Sequence, residues 1–208
     1  MAKIYNVLGL MSGTSGDGLD TSLIRTDGLN IFELIKDSYF EFPNKISDKY
    51  KNLKNKINHK EDLIKYYKEL VEFEKEITFF TAKVVNEIKF DNELTIDLVG
   101  FHGQTIYHNA SERITKQLGN GNLLSQLTRL NIVYEFRIND IKHGGQGAPL
   151  APIFHLLLHK KFNLKNSIFL NIGGILNATS IFEHKNFIAT DLGPGMCLLD
   201  DWVRLNSG

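Results

Sequence analysis

Apolar residues cluster in two short runs, at 3–11 and 19–27, on either side of the stretch GLMSGTSGDGLD at 9–20. Both runs have strand length, so the glycine-rich segment reads as the turn between two strands. Residues 30–42 (NIFELIKDSYFEF) read as a third strand, stopped at Pro43. Further on the period changes. Leu63, Tyr67, Leu70, Ile77, Phe80, Val84 and Ile88 recur at helical spacing and give a long helix one apolar face. IDLVGF at 96–101 is a continuous apolar run, the mark of a short buried strand, and ends at His102-Gly103. A helix near 121–130 and the strand NIVYEF at 131–136 follow. The loop RINDIKHGGQGAP then leads to a helix from about Pro149 to Lys161, with proline where a helix start tolerates it.

The opening order then recurs. SIFLNIGGILNATSIFEH at 167–184 is again strand, glycine turn and strand. NFIAT at 186–190 is a third strand, and GPGMCLLDDWVRL begins a helix with Leu198, Leu199, Trp202 and Val203 on its apolar side. This predicts an α/β chain with an internal duplication: a first domain over 1–165 and the start of a second, incomplete one over 166–208. The roughly 40 residues of the second copy are too few to cover both faces of its sheet, so exposed apolar surface and self-association are expected there.

The 208 residues carry equal numbers of basic and acidic side chains, 24 each. That balance gives no electrostatic reason to expect nucleic acid or an anionic membrane as partner. The basic stretch Lys45–Lys60 reads as a solvated helix face. A single cysteine, Cys197, excludes an intramolecular disulfide and fits a reducing cytoplasm; its surroundings suggest a buried small residue. No signal-peptide pattern opens the sequence, and no apolar run is long enough to span a bilayer.

The glycine turn is the first candidate for chemistry. Gly13, Gly16 and Gly18 let the backbone approach an anion and aim N–H groups at it, Thr14 and Ser15 add hydroxyl donors, and Asp17 or Asp20 suits Mg²⁺. An ordinary hairpin with an Asp-Gly turn is the alternative. The second turn, Asn171-Ile172-Gly173-Gly174, favours phosphate. Two glycine hairpins in duplicated positions suggest paired clamps, the arrangement of actin, the heat-shock chaperone ATPases and hexokinase. Polar clusters end three further strands: His102 with Gly103 and Gln104, Arg137 with Asp140, and Asp191 before a Gly-Pro-Gly turn. Ligands of open α/β folds bind at such ends. Arg137 can fork onto a carboxylate, and Asp191 can act as a general base. Singly, each has a structural alternative: a satisfied strand-end histidine, an Arg137–Asp140 ion pair, a helix cap at Asp191. The segment from His143 to Gly147 reads as an anion-binding loop, a lid hinge or a linker. His108, His155, His159 and His184 lack metal-ligand spacing, and Ser12 and Ser15 lack the nucleophile elbow of a hydrolase.

Taken in order, GLMSGTSGDGLD, GFHGQTIYH, LGNGNLLSQLT, FRINDIKHGGQGAPLAPIFH, FLNIGGILN and TDLGPGMCLLDDW resemble the motifs of the anhydro-N-acetylmuramic acid kinases, from residue 8 to about residue 203. The resemblance implies an actin-like, ribonuclease H-like fold of the sugar-kinase type. It implies a cytoplasmic enzyme of cell-wall recycling, using ATP and Mg²⁺ on 1,6-anhydro-N-acetylmuramic acid, and a homodimer. A carboxylate would activate water to open the anhydro bridge while the released O6 takes the γ-phosphoryl group. By the same resemblance Asp191 is that carboxylate. Gly13, Thr14, Ser15, Gly16, Asp17, Gly18, Leu19 and Asp20 form the ATP loop with Gly173 and Gly174 facing it, and His102, Arg137 and Asp140 lie on the sugar side.

Three positions depart from the family pattern: Gly16 replaces a usual leucine, Leu192 a threonine and Met196 an asparagine. Family members are also considerably longer, which implies that the rest of the second domain and the adenosine pocket lie outside these residues. Little turnover is then expected of the 208 residues alone. A phosphate- or sugar-binding remnant and an ATP-independent anhydrosugar hydrolase are the competing readings.

Overall fold

The computed structural model describes residues 3–91, 95–182 and 186–206; His184 lies outside them. The chain divides into two compact units, Met1–Gly147 and Ala148–Gly208. The division falls earlier than the 165/166 boundary drawn from the repeat, and the helix before that boundary groups with the later strands.

In the first unit, β1 (Tyr5–Ser12), β2 (Gly18–Thr26) and β3 (Phe32–Glu41) form an antiparallel meander. Leu8, Leu10 and Ser12 alternate inward on β1, as do Leu19, Thr21 and Leu23 on β2. The segment after Pro43 is three helices: α1 (Asn44–Lys56), α2 (Lys60–Lys65) and α3 (Tyr67–Asp91). Helix α3 carries the expected apolar face, with Leu70, Phe73, Ile77, Val84 and Ile88 buried, although Tyr67 is exposed. The Lys45–Lys60 stretch is only half solvated. Ser47, Tyr50 and Leu53 recur every three residues and are buried, so α1 packs on the sheet. Tyr50 stacks on Phe73, and Phe42 meets Phe80 edge-on at 5.0 Å.

Strand β4 (Leu98–Asn109) does not end at His102-Gly103 but continues through it. Its first half runs parallel to β1, pairing Leu10 with Phe101 and Ser12 with Gln104. Its second half turns back in a hairpin to β5 (Ile114–Leu118), where Ile106 and Leu118 are fully buried. Helix α4 (Gly121–Thr128), capped by the Asn120 side chain on the Leu123 N–H, leads to β6 (Ile132–Tyr134), parallel to β4. The sheet order is β3-β2-β1-β4-β5, with β6 on β4. Three antiparallel strands followed by parallel ones across helical connections form the sheet expected of the ribonuclease H-like class. A further correction concerns Arg137 and Asp140, which sit on helix α5 (Phe136–Lys142) and not in a loop. Neither glycine nor proline interrupts that stretch, and Ile138 and Ile141 lie half-buried one turn apart.

In the second unit, α6 (Pro152–Lys161) precedes the antiparallel meander β7 (Asn166–Ile172), β8 (Ile175–Phe182) and β9 (Asn186–Pro194), and α7 (Cys197–Asn206) follows. His155 meets the Thr179 hydroxyl at 2.9 Å and stacks on Phe169, while fully buried His159 meets Ser167 at 2.8 Å. These histidines therefore fasten α6 to the sheet. The opposite face of β7 is open: Ile168, Leu170 and Ile172 are each about 60% exposed. Cys197 is half-buried, where a buried residue was expected, because α7 leaves its apolar side largely in solvent. No described helix is long and apolar enough to cross a membrane.

Candidate functional site

The carboxyl ends of β1 and β6 carry the glycine loop and the start of α5 with Arg137, and between them His102 lies within β4, just past the stretch Val99–Phe101 that pairs in parallel with both. This is the end at which open α/β sheets take ligands.

The loop connecting β1 to β2 is longer than a tight hairpin turn and is internally braced. The Gly16 N–H donates to Gly13 O. The Ser15 hydroxyl donates to Asp17 Oδ1 at 2.7 Å. Thr14, Ser15, Asp17 and Asp20 are exposed, while Gly16, Gly18 and Leu19 are buried. Leu19 contributes its side chain to the core, so only its backbone belongs to the loop surface. Gly16 has φ +66, and a Cβ there would lie 2.0 Å from the Tyr50 ring, which accounts for a residue without a side chain. Partial burial, and then the charge of Asp17, hold the Asp20 carboxyl above its ordinary range. Two mutually repelling carboxylates beside exposed hydroxyls are a donor set that suits a hard divalent cation. Among the described residues no cluster of three or more His, Cys, Asp or Glu exists, so any such ion would take its remaining oxygens from water or phosphate.

His102 and Arg137 form one device. The His102 Nδ1–H donates to Gly103 O at 2.7 Å, which leaves Nε2 to accept from Arg137 Nε at 2.8 Å. Burial, and then the Arg137 charge, push the His102 pKa down to about 4, so the ring is neutral at pH 7. Arg137 Nη1 also donates to Gly147 O at 2.8 Å, and Asp140 Oδ2 accepts the Gly147 N–H at 2.7 Å. Arg137 and Asp140 thus grip the two sides of one residue instead of pairing with each other, and the 143–147 segment is pinned at its far end. A cavity of about 240 Å³ beside His102 is lined by Phe101, Tyr134, Asn120, Asn122 and Glu135. None of these five is marked by the sequence as a site residue, nor are Tyr50 and Ser47 behind the glycine loop; Gln104 reads as part of the polar cluster at His102 without a role of its own. The one local signal was Gln104, two residues after His102 in the FHGQT motif.

In the second unit, Gly173 and Gly174 form the turn between β7 and β8. Their carbonyls accept from Met196 N–H at 2.8 Å and Gly195 N–H at 3.0 Å. Strand β9 runs on past Thr190, so Asp191 lies within it opposite Asn177 and is neither a strand end nor the cap of α7. The register shift at Leu192 places a bulge between Asp191 and Gly193, and the Asp191 side chain is exposed. The β9 extension brings the Gly195 segment, four residues from Asp191, against the glycine turn.

The sequence profile of the anhydro-N-acetylmuramic acid kinases matches residues 5–208. A relative of that name from Pelagibacter ubique is 52% identical over 207 residues, covering 98% of this chain and 55% of the relative. Relatives of the same name from Rhizobium etli and Agrobacterium fabrum are 38% and 36% identical, covering all of this chain and 58% and 57% of their own. The chain spans about half the length of the relatives it matches. Among solved structures, a Ppx/GppA family member from Aquifex aeolicus aligns over 96% of this chain and 54% of its own at TM-score 0.40 and 11% identity. The ethanolamine utilization protein EutJ from Carboxydothermus hydrogenoformans aligns over 98% and 58% at TM-score 0.41 and 10% identity. Neither alignment is close enough to bear on chemistry. The profile match and the 52% identity do bear on it: the chain belongs to the anhydro-N-acetylmuramic acid kinase family.

Proposed function

We propose that this chain carries the phosphate-holding, sugar-holding and water-activating groups of an ATP-dependent kinase. Its substrate is 1,6-anhydro-N-acetylmuramic acid and its product is N-acetylmuramic acid 6-phosphate, in cell-wall recycling. The observation that carries this reading is the loop and Arg137 following the carboxyl ends of β1 and β6, with His102 on β4 between them just past its parallel-paired stretch, in a chain of this family.

Residues Gly13 to Asp20 hold the ATP phosphates through backbone N–H groups and the Thr14 and Ser15 hydroxyls. Gly173 and Gly174 serve as the second clamp. Asp17 and Asp20 hold Mg²⁺, which when bound neutralises charge on the phosphates. On the sugar side His102 has both ring nitrogens engaged, so it steadies Arg137 and moves no proton. The remaining N–H groups of Arg137 suit the carboxylate that a muramic acid carries. Asp140 acts through Gly147. Exposed Asp191 takes a proton from water as the water oxygen attacks the anomeric carbon. The bond from that carbon to O6 breaks, and O6 takes the γ-phosphoryl group as ADP leaves. A domain limit at 165/166, a homodimer and a cytoplasmic location belong to the same proposal.

Amide NMR tests the binding assignments. Mg·ATP should shift the signals of residues 13–20, and the anhydrosugar those around His102 and Arg137. Shifts confined to other surfaces overturn the reading. Phosphate-free N-acetylmuramic acid appearing without ATP would favour the hydrolase.

A further inference from the structure

Residues 9–20 contain no lysine or arginine and two aspartates, so no side-chain cation of this loop attracts a phosphate and the Thr14 and Ser15 hydroxyls are its only side-chain donors toward one. The rest of the attraction has to come from backbone N–H groups, and the direction of each peptide decides whether an amide or a carbonyl faces the anion. Five consecutive or near-consecutive carbonyls of the loop are turned inward. Gly13 O accepts from Gln104 Nε2 at 2.8 Å. Thr14 O, at 3.3 Å, shares the Tyr50 hydroxyl proton with Thr105 O at 3.0 Å. Gly16 O accepts from the Ser47 hydroxyl at 2.8 Å, Asp17 O from the Phe42 N–H at 2.8 Å, and Gly18 O from the Ser12 hydroxyl at 2.8 Å. The Ser12 hydroxyl also meets Gln104 Oε1, which fixes the orientation of that amide. The N–H groups of Thr14, Ser15 and Asp17 are left with no acceptor among the described residues.

We propose that Tyr50, Ser47 and Gln104 are positioning residues for phosphate binding: they hold the loop carbonyls inward and so present its amides to the anion. This rests on the reading of residues 13–20 as the phosphate loop and names what builds it. Tyr50 has two separable parts in this device. Its ring, 1% exposed and stacked on Phe73, fills the space beside Gly16 that a Cβ would need. Its hydroxyl reaches past the ring to the Thr14 and Thr105 carbonyls. Ser47 and Tyr50 lie one turn apart on α1, and Gln104 comes from β4, so two elements far apart in sequence clamp the Gly13, Thr14 and Gly16 carbonyls. Were a carbonyl released, its peptide could rotate and put an oxygen where an N–H now points.

The test compares Mg·ATP affinity, followed through the loop amides by NMR, in Tyr50→Phe, Ser47→Ala, the double variant and Ser47→Thr. Tyr50→Phe keeps the ring and removes the donor. Each single variant should weaken Mg·ATP by about 3- to 10-fold, the scale of one hydrogen bond, and the double variant by more than about 10-fold. Ser47→Thr, which keeps the hydroxyl, should restore wild-type affinity. Affinity for 1,6-anhydro-N-acetylmuramic acid should not change, and hydrogen exchange at Thr14 and Ser15 should quicken. Thr14→Val separates this inference from the one beneath it. If Thr14→Val weakens Mg·ATP while the double variant binds as wild type, the positioning role is overturned and the phosphate loop stands. Equal losses for nucleotide and sugar, with no rescue by Ser47→Thr, also overturn it, since they mark general loosening. Wild-type protein whose loop amides ignore Mg·ATP overturns both.

Discussion

The two meanders share a local plan and differ in what covers them. On β1 and β2 the inward residues Leu8, Leu10, Leu19 and Leu23 are at most 4% exposed, because the helical layer of α1 and α3 lies over them. On β7 the residues Ser167 and Phe169 meet α6, but Ile168, Leu170 and Ile172 on the other face meet solvent. Alternation along a strand fixes which side chains share a face; burial needs a second layer. The two glycine turns differ in the same way. The first is braced by side chains from other elements, the second by the adjacent Gly195 and Met196 backbone.

The sharpest way to break this comparison is a pair of truncations. Phe73→Ala, at a fully buried site of the first unit, should cost about 3–5 kcal/mol in denaturant unfolding. Ile168→Ala, 64% exposed, should change stability by less than about 0.5 kcal/mol. Similar costs would mean that the β7 face is covered in solution.

Acidification comes next. The folded first unit keeps His102 neutral, with its pKa lowered from 6.5 to about 4. The unfolded chain therefore binds the proton more readily, and this contribution to stability is full above pH 6.5 and lost as pH falls toward about 4. It amounts to at most ~3 kcal/mol. Subtracting the pH–stability curve of His102→Gln from that of the wild type should isolate a downward slope below pH 6.5. In the second unit burial also lowers the pKa of His155, so acid should weaken both units, with the same sign. A flat difference curve would contradict the burial of the His102 ring beside Arg137.

Smaller effects distinguish the turns. Gly16→Ala meets the Tyr50 ring, and Gly195→Ala meets Gly173 O at 2.2 Å. Each should cost about 1–3 kcal/mol. The Tyr50 ring is as fixed as the Gly173 carbonyl, and of the two glycines only Gly16 has a positive φ, so Gly16→Ala should cost more, and the amide shifts of Gly195→Ala should stay within the second unit. Equal costs would remove the distinction between the two braces. Last, Leu170→Glu should leave unfolding nearly unchanged while raising the concentration at which light scattering detects self-association, because it breaks an exposed apolar strip.

Patterns with short reach were legible in the sequence. Apolar runs of strand length around glycine turns gave β1 to β3 and β7 to β9, helical spacing gave α3, and glycines with hydroxyls and carboxylates marked the loop at 13–20. The same bases misjudged β4, which reads as ending at His102-Gly103 because a glycine normally punctuates a strand. It continues because β5, on the edge opposite β1, takes up pairing from Gln104 onward. Helix α5 reads as a loop, since its half-buried isoleucines are too few to show a period.

The local sequence determined the meanders, the long helix and the chemical character of the candidate loop, because each depends on residues only a few positions apart. Only the tertiary structure decided that Tyr50 and Ser47, more than thirty residues away, turn that loop's carbonyls inward. It also decided that Arg137 leans on His102 and not on Asp140. Hydrogen-bond direction and burial are settled by which elements meet, and no spacing along the chain encodes that meeting.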